Sequence, residues 1–157
     1  MWVVTVTLSP DGKYALTGSG DSTARLWDTA TGQPGRVLTG LAAGVGSVAF
    51  ASDGKYILTG SDDKTARLWE VETGQTIHIF AGHAYAVSSA TFSADRQYIL
   101  TGSWDTTARL WDAQSGQIVR TFAGHTNGVL SVSFAPEGVT ALTGRSSSAQ
   151  VSVTCIL

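Results

Sequence analysis

The chain has 157 residues, 43% of them hydrophobic and 14% charged, with a formal net charge of −2. That length and balance give a folded domain with a real core and exclude a disordered chain, and ten Lys and Arg residues scattered along the sequence argue against a nucleic-acid or anionic-membrane surface. A single cysteine, Cys155, excludes a disulfide framework or a cysteine-based metal site within the chain.

The opening stretch MWVVTVTLSPDG is apolar for a few residues, then breaks into Ser9-Pro10-Asp11-Gly12. It has no basic n-region, so it does not read as a signal peptide, and no stretch reaches the length of a membrane span. The expected location is cytoplasmic. The same opening also begins a pattern. SPDGKYALTGS at 9–19 is followed by TARLWD at 23–28; ASDGKYILTGS at 51–61 is followed by TARLWE at 65–70; SADRQYILTGS at 93–103 is followed by TARLWD at 107–112. Trp27, Trp69 and Trp111 stand 42 residues apart with no insertion or deletion between them. A fixed period of this length decides the architecture before any single residue does.

Within the second unit the runs GSVAF (46–50), YILTGS (56–61), TARLWE (65–70) and TIHIF (76–80) are short and rich in β-branched and aromatic residues. SDG (52–54), DDK (62–64) and ETG (72–74) between them are turn chemistry. No helical period of useful length occurs. Four short antiparallel strands per repeat make a sheet too small to bury its own faces, and stacking such sheets radially is the β-propeller solution. The expected fold is therefore all-β, an arc of four-stranded antiparallel blades at about 3–39, 45–81 and 86–122, with an incomplete fourth at 128–144.

The fourth unit keeps GVLSVSF (128–134) and TALTG (140–144), then reads RSSSAQVSVTCIL. Ser147 stands where the turn Asp is due and Val153 where the Trp is due. Residues 145–157 thus read as a degenerate tail or a broken third strand, from truncation or a change of reading frame rather than slow drift. The propeller segment proper would be 1–144.

These residues resemble the WD-repeat β-propellers: the Gly-His pairs Gly82-His83 and Gly124-His125, and the Trp-Asp pairs Trp27-Asp28 and Trp111-Asp112, with Trp69-Glu70 as a mild variant. The likeness covers residues 2 to about 144. It implies a hydrogen-bonded set in each blade: a His before the first strand, a Ser on the second, an Asp in the next turn and a Trp on the third. Blade three holds the complete set, His83, Ser103, Asp105 and Trp111. Blade two has Ser61, Asp63 and Trp69, with Leu41 in place of the His; blade one has Ser19, Asp21 and Trp27 without one. A Ser, a His and an Asp together suggest a hydrolase, but a motif of this kind serves the scaffold. The expected order is Asp to His to Ser to the Trp indole, each link satisfying a buried polar group. Arg25, Arg67 and Arg109 recur at the same period, and each is expected to lay its stem on a strand and keep its guanidinium in water. His78 has no partner at metal-ligand spacing, and no metal or cofactor is expected.

With no chemistry expected, function must lie on a surface. The resemblance implies the top rim, at the residue before each turn Asp and at the positions opening each first strand. Most of these are small; Trp104 is not, and its counterparts are Gly20 and Asp62. Trp104 is the leading candidate for a partner anchor, followed by Asp62, Tyr85, Trp2 and Leu130. Two functions follow. One is a non-enzymatic scaffold binding a protein or peptide on the top rim. The other is a structural fragment of a larger or oligomeric propeller with no ligand of its own, in which copies of the chain associate to close a ring.

Overall fold

A computed structural model describes residues 2–135 and 141–144. Among these there are fourteen strands and no helix. Blade one is β1 (Val3–Leu8), β2 (Tyr14–Ser19), β3 (Ala24–Asp28) and β4 (Pro34–Leu38). Blade two is β5 (Val45–Phe50), β6 (Tyr56–Ser61), β7 (Thr65–Glu70) and β8 (Thr76–Ala81). Blade three is β9 (Val87–Phe92), β10 (Tyr98–Ser103), β11 (Ala108–Asp112) and β12 (Ile118–Phe122). Each is an antiparallel meander with its strands in chain order, and a two-stranded sheet of β13 (Ser131–Phe134) and β14 (Ala141–Gly144) follows. The arc of propeller blades expected from the period is what the chain forms. Ser147, Val153 and the rest of the 145–157 tail lie outside the described residues.

Each strand exists because its turns hold it. Asp11, Asp53 and Asp95 each accept the backbone N–H two residues on, from Lys13 at 3.1 Å, Lys55 at 2.9 Å and Gln97 at 3.0 Å. This side-chain turn reverses the chain between first and second strands of every blade. The inner strands read as near-continuous apolar runs because both faces are covered. β6 and β10 are buried at every position after their first tyrosine.

The core lies between blades rather than within them. Leu16, Leu26 and Leu38 of blade one pack against Val45, Val48, Ile57 and Trp69 of blade two. Leu58, Leu68 and Phe80 of blade two meet Val87, Ile99 and Trp111 of blade three. Leu100 and Leu110 meet Val129 and Val132 of the fourth unit. Each repeated Trp therefore faces the preceding blade, and burying one such side chain stabilises the junction by about 1.5–3 kcal/mol. Trp27 has no preceding blade in the described structure and is half-buried, and on the same blade Val4, Val6 and Leu8 are exposed. Val48 in β5, the counterpart of Val6, is buried.

Polar staples join the blades at the other rim. Arg36 donates to the carbonyls of Thr73 at 2.9 Å and Glu72 at 2.6 Å. His78, at the same place one repeat later, lies with Nε2 2.7 Å from the Gln114 carbonyl; a carbonyl only accepts, so Nε2 carries the proton. Arg96 pairs with Asp53 across the same junction. Two flank grooves sit beside these staples, one of about 730 Å³ bounded by Tyr14, Arg36 and Tyr56, the other of about 480 Å³ bounded by Tyr56, His78 and Arg96.

Candidate functional site

The top rim is built from the loops that enter each first strand and the turns that leave each second strand. In blade three these are pinned together by one buried chain of hydrogen bonds. The Asp105 Oδ2 oxygen accepts from His83 Nδ1 at 2.8 Å and from the Ala84 N–H at 2.9 Å. Since Asp105 can only accept, His83 carries its proton on Nδ1, and its Nε2 accepts from the Thr101 hydroxyl at 2.8 Å. The Thr101 Oγ1 in turn accepts the Trp111 indole N–H at 2.9 Å. Asp105 Oδ1 holds the Thr107 hydroxyl at 2.6 Å and its N–H at 3.0 Å, which fixes the turn.

This corrects the order expected from the sequence. The hydroxyl between His and Trp is Thr101, not Ser103. Register explains it: Trp111 stands opposite Ile99, so its indole reaches a residue two positions along, and Ser103 is two further on. Ser103 instead donates to the Tyr85 carbonyl at 3.0 Å and accepts the Asp105 N–H at 3.0 Å, tying loop to turn. The other blades repeat this. Trp69 bonds Thr59 at 3.0 Å and Trp27 bonds Thr17 at 2.9 Å, while Ser61 and Ser19 bond the Ala43 and Trp2 carbonyls and the N–H groups of Asp63 and Asp21. A hydrolase reading fails on this geometry, because His83 does not touch Ser103, and both Ser103 and Thr101 are fully buried.

Burial holds the His83 pKa below its ordinary value, with Asp105 opposing the shift and the Arg109 charge adding to it, so the ring is neutral. Burial works to raise the Asp105 carboxyl, but the Thr107 hydroxyl, the Ala84 N–H and the His83 ring outweigh it and hold the acid well below the usual carboxylate range. Asp63 is balanced in the same way, by Thr65, the Ala42 N–H and Arg67 against its burial.

Blade two solves the missing His differently. Leu41 is buried in the same cluster as Trp69, and Asp63 Oδ2 accepts from Arg67 at 3.1 Å and the Ala42 N–H at 3.1 Å. Arg67 Nη1 also donates to the Gly40 carbonyl at 2.6 Å. In blade one Arg25 meets Asp21 at 2.9 Å. These arginines are therefore ion-paired at the rim rather than extended into water; the Arg67 side chain is only 14% exposed. The three turn carboxylates are equivalent by the repeat, but the rivalry of His and Arg for them carries no signal in the sequence.

Of the rim candidates, Trp104 is 57% exposed and Tyr85 63%. They are brought together by Ser103, which precedes Trp104 in the chain and bonds the Tyr85 carbonyl, and by the Trp104 N–H, which donates to the Ala86 carbonyl at 3.0 Å. Trp104 also lies over Gly128 of the fourth unit: a Cβ there would stand 2.8 Å from its ring. One edge of the indole is thus seated on the next blade while most of the ring stays open. Asp62 is exposed one blade earlier, at the position equivalent to Trp104, with its N–H on the Gly44 carbonyl. Trp2 is exposed beside Gly20, and Leu130 is half-buried.

Comparison with known proteins agrees with this architecture. The family model for the WD domain, G-beta repeat (WD40), matches residues 1–28, 32–70, 74–112 and 116–155, the last of these crossing the segment where TARLWD fails to return. The chain is similar to human WD repeat-containing protein 86, 60% identical over 35 residues, or 22% of this chain. The match spans 9% of that relative's length.

Proposed function

The chain belongs to the WD40 repeat family, and from that premise we propose that it is a non-enzymatic scaffold that takes a protein or peptide on its top rim, with Trp104 as the anchor. WD repeats generally form protein-interaction scaffolds. The observation that carries the finer reading is Trp104 itself. It is a large ring left mostly open at a position that the fold fills equally well with Gly20 or Asp62. Seated against Gly128, it is positioned before any partner arrives, which lowers the ordering cost of binding. Tyr85 extends the aromatic surface, and Asp62, Trp2 and Leu130 are secondary contacts along the arc.

The test is selection of displayed random peptides on the full chain, followed by calorimetry of the selected peptides against Trp104→Ala. Affinity should fall by roughly thirtyfold, the ~2 kcal/mol of an aromatic hot spot. Peptides that bind the Trp104→Ala chain equally well, or the absence of any enriched peptide, would refute the reading.

A second reading is favoured by the exposed Val4, Val6 and Leu8 of blade one; the residues equivalent to Val6 in blades two and three, Val48 and Ala90, are buried. An uncovered apolar face of that kind invites another blade, and self-association to close a ring would supply one. Light scattering across a concentration series distinguishes a discrete closed oligomer from a monomer.

A further inference from the structure

The arginine of TARLWD is written three times and meets two different fates. Arg25 and Arg67 each hold the turn carboxylate of their own blade, Asp21 at 2.9 Å and Asp63 at 3.1 Å. In blade three the equivalent oxygen, Asp105 Oδ2, is already shared by His83 and the Ala84 N–H. Arg109 has been displaced. Its Nε is buried with no hydrogen-bond partner, alone in this among the described residues. A buried donor left unpaired is costly and calls for an acceptor. The planar guanidinium offers parallel N–H groups spaced for the two oxygens of a carboxylate. Gly82 lies directly against the guanidinium, since a Cβ there would stand 2.6 Å from Nη1. Three residues further on, the same loop carries the exposed Tyr85.

We propose that Arg109 is an anion-receiving site whose ligand is the carboxylate of an acidic side chain on a partner peptide. The choice of a carboxylate comes from the other two blades, where the same arginine on the same strand takes an Asp. The presence of His83 in blade three moves the internal carboxylate off the arginine and leaves its place for one supplied from outside. The identity of the carrier rests on the rim being the binding face; the anion site itself does not.

The experiment follows the arginine Nε–H resonances of the full chain by NMR during titration with sodium acetate at constant ionic strength, with sodium phosphate as a parallel arm. The Arg109 resonance should move saturably with acetate and several times further than those of Arg25 and Arg67. His83→Leu gives blade three the residue that blade two carries at Leu41; it should return Asp105 to Arg109 and abolish the response. Leu41→His should do the reverse, releasing Arg67 as a second responding arginine, and it reads the same logic in a different blade if His83→Leu does not fold. The proposal is overturned if Arg109 does not move, if all arginines move together as screening would have them, if phosphate saturates the site and acetate does not, or if His83→Leu responds like the parent. Loss of the acetate response with Trp104-dependent peptide binding intact sinks this site alone. The opposite result sinks the rim reading alone.

Discussion

Replacing Thr101 by Val is the sharpest perturbation of blade three, because it keeps the shape of the side chain and removes only the hydroxyl. That hydroxyl donates to His83 Nε2 at 2.8 Å and accepts the Trp111 indole at 2.9 Å, and both partners are buried. Each group left unpaired in the interior costs about 1–3 kcal/mol, so the two together should cost about 2–6 kcal/mol. The same change at Thr59 orphans one buried group, the Trp69 indole, and should cost about 1–3 kcal/mol. At Thr17 the partner is the half-buried Trp27, where water can take over, and the loss should stay below about 1 kcal/mol. For a chain of this size about 3 kcal/mol lowers Tm by roughly 6–12 °C. Thermal and urea unfolding of the three variants, followed by circular dichroism, gives the ranking directly. If Thr101→Val and Thr17→Val lose the same stability, the buried relay is not what holds blade three.

Gly128→Ala should destabilise by about 1–3 kcal/mol, because its Cβ would meet Trp104 at 2.8 Å on the ring and 3.0 Å on the backbone; Gly46→Ala, with nothing within 4 Å, should be neutral or gain up to about 1 kcal/mol, as urea midpoints will show. Thr106 is a β-branched residue held at φ 69°, so Thr106→Gly should relieve strain and raise stability by about 1 kcal/mol in the same assay. Stability should also depend on pH in two stages. His83 has a folded pKa below its unfolded value of about 6.5, so the unfolded chain binds the proton first; stability is full above that pH and declines as pH falls through the folded value. Asp63 and Asp105 are likewise lowered, so their contribution is present above about pH 4 and is lost as pH falls further. Urea midpoints measured from about pH 8 to 3 should show both limbs, and His83→Leu should flatten the upper one.

The period made most of the fold legible. Strands β6 and β7 occupy the runs read from the sequence, and β5 and β8 extend theirs by one residue each. What could not be read is whatever depends on reach across the sheet rather than on position along it. Ser103 and Thr101 are both hydroxyls, two apart on one strand, and only the pairing of Ile99 with Trp111 decides which meets the indole. Leu41 looked like a gap in a polar set, yet it is buried beside Trp69 while Arg67 takes over the carboxylate. Trp104 stood out as an aromatic among small residues, but its seat on Gly128 follows from how successive blades overlap. A residue's neighbour one repeat away is invisible to patterning within a repeat.

The staples at the lower rim have a mechanical meaning. Arg36 reaches only the next blade's Glu72 and Thr73, His78 only Gln114, and Arg96 only back to Asp53. Every such tie spans one junction, so the molecule behaves as a row of linked plates rather than a block, its stability a sum of plates and seams. Pulled from its ends, such a row comes apart one seam at a time. Blades two and three, each joined on both sides, are the last to let go.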